Sequence, residues 1–286
     1  MLTKMSEKRP IFGSQFLVQE MQDYLGAEMS MIRGILETKK LKGRSLEIAA
    51  MIASLLGTGN AILILSKENH RFYKECVMLA RGFFEHITNV CYLLECGEDT
   101  FEECMQHTIY RQYLRRSRNK KVIKDAEGKE LMKISLVQKN IENLRKNDKI
   151  DELINKFEKN KKTRFPIPKI EKRLGFLAKQ NTGLNISLFL AYQQAYYDDA
   201  SEALHGSFYG VLFHVLNLDS REKNNAEIDT NKNTALLLWQ TGELIHQLIV
   251  LLNQKNSIKD FYEKSILNSK ATLEKIKFAV NSKEKI

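Results

Sequence analysis

Apolar residues recur along most of this chain at three- and four-residue steps, which is the period of an amphipathic α-helix. The first such run follows Ser14 and contains Phe16, Leu17, Met21, Leu25, Met29, Ile32, Ile35 and Leu36. Serine is a common N-cap residue, so a first helix is predicted to begin after Ser14. Only 3 prolines and 14 glycines interrupt the 286 residues. We therefore predict an all-α fold, a multi-helix bundle of long antiparallel helices with a charged helical insertion.

The same periodicity and its interruptions place the later helices. We predict them at about 45–65, 70–95, 98–124, 131–145, 149–159, 186–216, 233–253 and 257–280. Gly97 follows the helix at 70–95, where glycine commonly ends a helix. A polar loop is predicted at 218–229, and a break at Phe165-Pro166-Ile167-Pro168.

The stretch from 111 to 173 has fewer apolar residues and more charge than its flanks. This contrast predicts that residues 1–110 and 174–286 together form one bundle domain. Residues 111–173 are then a basic helical insertion, and we expect that insertion to be the mobile part.

The cysteines and the apolar segments indicate in which cellular compartment the protein is expected. Cys76, Cys91, Cys96 and Cys104 contain no Cys-x-x-Cys pair, so we expect reduced thiols in or near a core. Ile48 to Ser66 is uncharged and about as long as a membrane span. Its centre, Gly57-Thr58-Gly59-Asn60, would weaken a span and instead indicates a close helix contact or a break. The N-terminus lacks the apolar run of a secretory signal, so we expect a cytoplasmic protein without a membrane segment.

The net charge of +10 permits an acidic partner such as nucleic acid. One basic group is Arg111, Arg115, Arg116, Arg118, Lys120 and Lys121, and a second between 156 and 173 includes Lys159, Lys161, Lys162, Arg164, Lys169, Lys172 and Arg173. Such groups form either a solvated surface or a contact with RNA or DNA, and both interpretations stay open. The binding residues predicted from these groups are Arg111, Arg115, Arg116, Lys161, Lys162 and Arg164.

Two polar stripes on otherwise apolar helices could carry chemistry. Arg81 and Glu85 are four residues apart and project from one face, as an internal ion pair or as part of a site. Tyr197, Ser201 and His205 are likewise spaced by four, with Asp198 close to the same stripe. A histidine can serve as general acid or base and an arginine can stabilise phosphate charge, so RNA cleavage is chemically reasonable. The alternative is a structural polar seam with a hydrogen-bonded core histidine.

A di-metal carboxylate site is a minor alternative. Glu202-Ala-Leu-His205 and Glu243-Leu-Ile-His246 are both Glu-x-x-His sequences on predicted helices. With Glu85 and a further carboxylate such as Glu103, they could resemble the ligand set of di-iron bundles. His214 and His246 lie among apolar neighbours, which is more typical of packed histidines than of ligands, and no metal or other cofactor is expected.

Two stretches resemble a bacterial family, the domain of unknown function 5677. The first runs from about 61 to 94 and includes Leu79-Ala80-Arg81, Glu85 and Tyr92-Leu93-Leu94. The second is Tyr197-Asp-Asp-Ala-Ser201-Glu-Ala-Leu-His205-Gly206, and the middle region has no evident counterpart. That family is similar in outline to the HEPN superfamily of helical nucleotide-binding proteins. Many HEPN proteins are metal-independent RNases of toxin and antiviral systems that use an Arg-x4-6-His motif.

The resemblance implies expectations for function and site. Arg81-Gly-Phe-Phe-Glu-His86 has the HEPN spacing, and its use would imply a dimer with two composite sites in one cleft. The set Arg81, Glu85 and His205, with Ser201 beside it, is the alternative site. We expect an RNA-acting effector of a phage-defence or toxin-antitoxin module, with RNA, a second copy of the chain and a protein from the same operon as partners. The competing hypothesis is a non-catalytic helical protein-interaction module.

Overall fold

The computed structural model describes residues 13–38, 40–118, 148–159, 166–180, 182–197, 200 and 223–281. Every regular element in these residues is helical, which confirms the all-α prediction. The helices are α1 Gln15–Glu37, α2 Arg44–Glu47, α3 Ala49–Leu65, α4 Asn69–Glu95, α5 Glu98–Arg118, α6 Asp148–Lys159, α7 Ile170–Lys179, α8 Ile186–Tyr192, α9 Lys223–Asn256 and α10 Lys259–Asn281. A 3-10 turn, Ser66–Glu68, joins α3 to α4, and a π-helical segment, Gln193–Tyr197, continues α8.

The start of α1 and the glycines of α3 confirm two sequence predictions. Ser14 is the N-cap of α1, and its hydroxyl accepts a hydrogen bond from the Leu17 amide at 3.3 Å. In α3, a Cβ at Gly59 would lie 2.5 Å from the sulfur of Met29 on α1. The pattern at 57–60 therefore marks a close helix contact, as predicted.

Two elements differ from the sequence prediction. The helix α7 was not predicted, although its apolar residues Ile170, Leu174 and Leu177 have helical spacing. The predicted loop at 218–229 is wrong from Lys223 onward, because α9 begins there. Its polar N-terminal part is anchored by Asn231, whose side chain accepts a hydrogen bond from Asn69 at 2.7 Å and donates one to the Gly13 carbonyl at 3.2 Å. Buried polar contacts thus stabilise a segment that is too polar to be predicted as helical.

The chain divides into two compact units. Residues 1–95 and 170–286 form the first and residues 96–169 the second, compared with predicted boundaries at 111 and 173. The predicted helix at 131–145 and the part of the predicted helix at 186–216 beyond residue 200 lie outside the described residues.

The first unit is built on α1, α3, α4 and α9. The most extensive packing is between α1 and α9, followed by α3 with α4 and α4 with α9, and α10 lies against α1 and α9. Its core includes the fully buried residues Leu17, Met21, Leu25, Ile52, Phe83, Phe84, Ile87, Tyr192, Leu244 and Leu248. Helix α7 packs against α4. This packing leaves a polar stripe of α4 facing α7 and the π-helical segment.

The second unit is described through α5 and α6, which pack against each other. One hydrophobic cluster in this unit contains Tyr110, Ile154 and Phe157, and the rings of Tyr110 and Phe157 stack with centroids 5.2 Å apart. The buried ring of His107 lies edge-on to Phe157 at 5.4 Å. An apolar core therefore holds the two helices together.

Two helical stretches of the described chain, Ala49–Glu68 and Glu227–Asn256, are long and apolar enough to cross a membrane by length and composition alone. Helices in the cores of soluble proteins pass the same test, so this observation is weak evidence for a span. About one third of the first stretch's apolar window and two thirds of the second's are buried inside the fold.

Candidate functional site

A stripe of three polar residues runs along α4. Arg81, Glu85 and Asn89 follow one another at intervals of four, so they share one side of the helix. Phe83, Phe84 and Ile87, which lie between them in the sequence, are fully buried. The shared face of Arg81 and Glu85 was predicted from their spacing, and Asn89 extends the stripe by one more turn.

Arg81 is held by an ion pair with Glu85 and by a cation–π contact with Tyr197. Its Nε lies 3.4 Å from Oε1 of Glu85, and its guanidinium carbon lies 4.6 Å from the centroid of the Tyr197 ring. The Arg81 side chain is 22% exposed and that of Glu85 is 42% exposed. The ion pair and the cation–π contact fix the direction of the guanidinium, and the side chain remains partly exposed.

Tyr197 reaches Arg81 from the last position of the π-helical segment. Its ring meets Phe84 edge-on at 6.4 Å, which locates it against the core face of α4. Burial raises the pKa of the Tyr197 hydroxyl, and its hydrogen bond to Glu85 raises it further. Tyr197 is therefore a neutral phenol that donates to a carboxylate. Single turns of π-helix occur often at functional sites, which agrees with this placement.

Arg173 on α7 approaches the same stripe, and sequence reasoning missed it. Its guanidinium donates a hydrogen bond to the side-chain oxygen of Asn89, and the residue is only 8% exposed. Burial lowers the pKa of Arg173, while the carboxylates of Glu85, the largest opposing influence, and Glu171 act against that shift. Arg173 had been grouped with a basic surface stretch, and its burial corrects that grouping. Leu174 and Leu177, which have helical spacing from it, were the available signal that it lies on a buried face.

His86 lies on a different side of α4 from Arg81. Positions five apart differ by about 140° around a helix, and the His86 ring is hydrogen-bonded to the backbone of Met51 at the start of α3. Burial lowers the pKa of His86, so the ring is neutral near pH 7 and donates to the Met51 carbonyl. The structure brings Arg81 together with Glu85 and Tyr197, and it directs His86 toward α3.

The other predicted site residues fall in two groups. Asp198, Ser201 and His205 lie outside the described residues, as do Lys161, Lys162, Arg164 and the side chain of Arg116. Arg111 and Arg115 are exposed on α5 in the second unit. The N-terminal half of α5 is acidic, and Asp99, Glu102 and Glu103 line a cavity of about 260 Å³ with Gln106 and Lys156. This helix therefore carries acidic residues toward its N-terminus and basic ones toward its C-terminus, which complements its dipole.

A second buried polar cluster joins α1, α9 and α10. The fully buried carboxylate of Glu28 accepts hydrogen bonds from Ser265 at 2.6 Å and Asn268 at 2.9 Å, and His246 Nδ1 lies 2.6 Å from the Ser265 hydroxyl. Burial raises the pKa of Glu28 to about 7, with the hydrogen bonds from Ser265 and Asn268 opposing this shift. His246 is thus a packed, hydrogen-bonded histidine, as predicted.

Glu243 also belongs to this cluster and is hydrogen-bonded within it. Its Oε1 accepts hydrogen bonds from the Tyr24 hydroxyl at 2.6 Å and the Ser269 hydroxyl at 2.8 Å. Within the described ranges no three or more His, Cys, Asp or Glu side chains are grouped as metal ligands would be. Glu202 and His205 of the predicted di-metal set lie outside those ranges.

Comparison with known proteins places the chain in a family without assigning an activity. No curated protein and no solved structure matches it. One family model matches residues 48–224, which includes α3 to α8 and both stretches that carried the resemblance. Helices α1 and α10 and nearly all of α9, which hold the Glu28 cluster, lie outside the match, whereas Arg81, Arg173 and Tyr197 lie within it. The chain therefore belongs to the family of unknown function DUF5677.

Proposed function

We propose that this protein is a cytoplasmic, HEPN-like RNA-acting protein and that its reaction is metal-independent cleavage of RNA. The observation that carries the proposal is the partly open guanidinium of Arg81, held by Glu85 and Tyr197 on the polar stripe of α4. An oriented guanidinium in a partly dehydrated site is well suited to binding a phosphate group. The biological role proposed with it is that of an effector in a phage-defence or toxin-antitoxin system.

RNA cleavage without a metal needs a base, an acid and a stabilising cation. The base removes the proton of a 2′-hydroxyl, the 2′-oxygen attacks the adjacent phosphorus, and the departing 5′-oxygen takes a proton from the acid. The charge that grows on the phosphate oxygens is stabilised by a fixed cation, which is the role proposed for Arg81. His205 is the proposed acid or base, because the four-residue spacing of Tyr197, Ser201 and His205 in the sequence predicts a single polar stripe.

The position of His86 supports His205 rather than His86 as the histidine of this site. The His86 ring already bonds to the backbone of Met51 and lies about 140° around α4 from Arg81. A proton-transfer group must come within hydrogen-bond reach of the substrate. Under this proposal Arg81→Ala and His205→Ala abolish cleavage, whereas His86→Ala acts mainly through stability.

RNA is the proposed substrate, and a second copy of the chain and a protein from the same operon are the proposed partners. The basic insertion, with Arg111 and Arg115 exposed on its first helix, is the proposed surface for the rest of the RNA. Cleavage that weakens steeply as salt is raised is expected if these side chains contact the backbone.

The test is incubation of the purified protein with total RNA and tRNA in EDTA, with melting temperatures measured in parallel. Wild type is compared with Arg81→Ala, Arg81→Lys, His205→Ala and a matched control, Arg71→Ala. Arg71 lies on the same helix, pairs with Glu68 and has a side chain 66% exposed, so it controls for the loss of one arginine from α4.

Cleavage by wild type and Arg71→Ala, with loss of cleavage in folded Arg81→Ala and His205→Ala, is the expected result. The absence of cleavage by wild type, together with large losses of melting temperature in both site variants, would refute the proposal. That outcome would instead favour the non-catalytic interaction module, in which the same residues serve only as a polar seam.

A further inference from the structure

Arg173 carries a buried charge that has no direct ion pair among the described residues. Its residue is 92% buried, and its only hydrogen bond in the described chain is the one it donates to Asn89. The Nε–H is buried without an acceptor, and no carboxylate of the described residues forms an ion pair with Arg173. Buried arginines ordinarily have several hydrogen bonds and an anionic partner. The described part of the chain leaves both requirements unmet for direct contacts.

Two carboxylates, Glu85 and Glu171, lie within electrostatic reach of Arg173. Glu85 is the first among the groups whose charge stabilises the Arg173 cation, but its carboxylate already pairs with Arg81 at 3.4 Å. Two guanidinium groups therefore share one carboxylate on the stripe of α4. Tyr197 lies within electrostatic reach of both arginines and is a hydrogen-bond donor to Glu85 rather than an anion. Among the described residues, neither Glu85 nor Glu171 forms a direct ion pair with Arg173.

Asn89 fixes the orientation of Arg173. Its side-chain oxygen accepts from one terminal nitrogen of the guanidinium, and Tyr92 packs edge-on against Phe176 of α7 at 5.3 Å. These contacts position α7 along α4 and limit the movement of the Arg173 side chain. A preoriented guanidinium loses less freedom when it binds a ligand.

We propose that Arg173 and Arg81 together bind a phosphate group, with Arg173 donating from its unpartnered Nε–H and Arg81 closing the more exposed side. The inference deepens the proposed function, since it rests on it for identifying RNA as the source of the phosphate. The chemistry recognised is a tetrahedral oxyanion with several acceptor oxygens, which planar guanidinium donors match well. Free phosphate, a nucleotide and an RNA phosphodiester share this chemistry.

A ligand-binding role and a structural role for Arg173 predict opposite effects of Arg173→Met on the melting temperature. If Arg173 awaits a ligand, its buried and unpaired charge destabilises the ligand-free protein, so Arg173→Met melts at or above the wild-type temperature. If Arg173 is structural, the same change lowers the melting temperature. Arg71→Met, at an exposed position of α4, is the matched control and should change neither melting nor binding.

The experiment measures the melting temperature in inorganic phosphate and the phosphate affinity by isothermal titration calorimetry. Both are measured at constant ionic strength, with chloride as the reference salt. Wild type and Arg71→Met should be stabilised by phosphate beyond the effect of chloride. Arg173→Met should lose this response, with affinity reduced by at least about tenfold. Arg173→Lys keeps the charge but has no Nε–H, so it should bind phosphate more weakly than wild type, and it replaces Arg173→Met if that variant does not fold.

Two further titrations identify the source of the phosphate. They also test phosphate binding independently of RNA cleavage. A mononucleotide and a non-cleavable 2′-O-methyl RNA are titrated in the same way, and tighter binding of the RNA than of inorganic phosphate supports an RNA phosphodiester. Phosphate binding that depends on Arg173 supports the inference even if wild type cleaves no RNA. Equal phosphate protection of wild type and of the folded Arg173 variants, or none in wild type, would overturn it even if wild type cleaves RNA.

Discussion

The guanidinium carbon of Arg81 lies 4.6 Å from the centre of the Tyr197 ring, although 116 residues separate the two in the chain. Tyr197→Phe keeps this ring and removes only the hydroxyl that bonds to Glu85, whereas Tyr197→Leu removes both. We expect Tyr197→Leu to lower the free energy of unfolding by about 0.5–1 kcal/mol more than Tyr197→Phe, which is the usual size of a cation–π contact. Urea denaturation measures the difference.

The control for this prediction is the same pair of changes in an Arg81→Met background. Without the guanidinium, the difference between the phenylalanine and leucine variants should shrink, because the cation–π contact is absent and only the ring contact with Phe84 still distinguishes them. An unchanged difference would show that Arg81 does not depend on the Tyr197 ring.

Glu28 should make the stability of the first unit depend on pH. Burial raises the pKa of Glu28 from an ordinary value of 4.5 to about 7 in the folded protein, so folding favours the protonated form. This contribution is fully present below about pH 4.5 and is lost as the pH rises through 7. Its size is on the order of 3 kcal/mol at most, since each pKa unit corresponds to about 1.4 kcal/mol.

The measurement compares wild type with Glu28→Gln by urea denaturation between pH 4.5 and pH 8. Glutamine is uncharged throughout, so wild type should become less stable relative to the variant as the pH rises. His246 has a lowered pKa, so its own contribution to stability falls as the pH falls, which is the opposite direction from that of Glu28. A difference between them that does not change with pH would contradict the assignment.

Gly242 on α9 is required for the close approach of Tyr24. A Cβ at Gly242 would lie 2.6 Å from a carbon of the Tyr24 ring, and that ring is fixed by its hydrogen bond to Glu243. Gly242→Ala should therefore cost about 1–3 kcal/mol of stability through overpacking. Gly57→Ala is the matched control, because a Cβ there meets nothing within 4 Å and alanine favours helix by about 1 kcal/mol. Stabilisation by both changes in thermal melting would refute the prediction.

All four cysteines should be unreactive in the folded protein. Cys76, Cys91, Cys96 and Cys104 are free and buried, as the sequence predicted. Burial raises the pKa of Cys76, Cys91 and Cys104 to about 12, so almost no thiolate is present at pH 8. Ellman's reagent should titrate the thiols only after denaturation, and fast reaction of the native protein would contradict their burial.

Local features of the site were accessible from the sequence because helix geometry links residues four positions apart. The pairing of Arg81 with Glu85 followed from that spacing, and it is present at 3.4 Å. The same geometry separates Arg81 from His86, which the family-like motif had placed together. A motif written as a number of intervening residues does not say whether its members share a helix face.

Arg173 and the start of α9 show where sequence reasoning was misled. Lys172 and Arg173 are neighbours in a basic stretch, yet Lys172 is exposed and Arg173 is buried against Asn89. Likewise, residues 223–229 were predicted as a loop but are helical, and Asn231, just after them, is buried and hydrogen-bonded to Asn69. A charged or amide side chain is expected at the surface unless a partner is known, and each partner here is far away in the chain.

The sequence by itself determined the helical class, the beginning of α1 at Ser14, the tight contact around Gly59 and the Arg81–Glu85 pair, because each depends on residues within a turn or two of one another or on side-chain size. Only the tertiary structure decided the partners of those residues. The hydrogen bond from Arg173 to Asn89 spans 84 positions and the one from Ser265 to Glu28 spans 237. Such pairs are set by how the helices pack, and packing is decided by the buried apolar surface of the whole unit rather than by any local pattern.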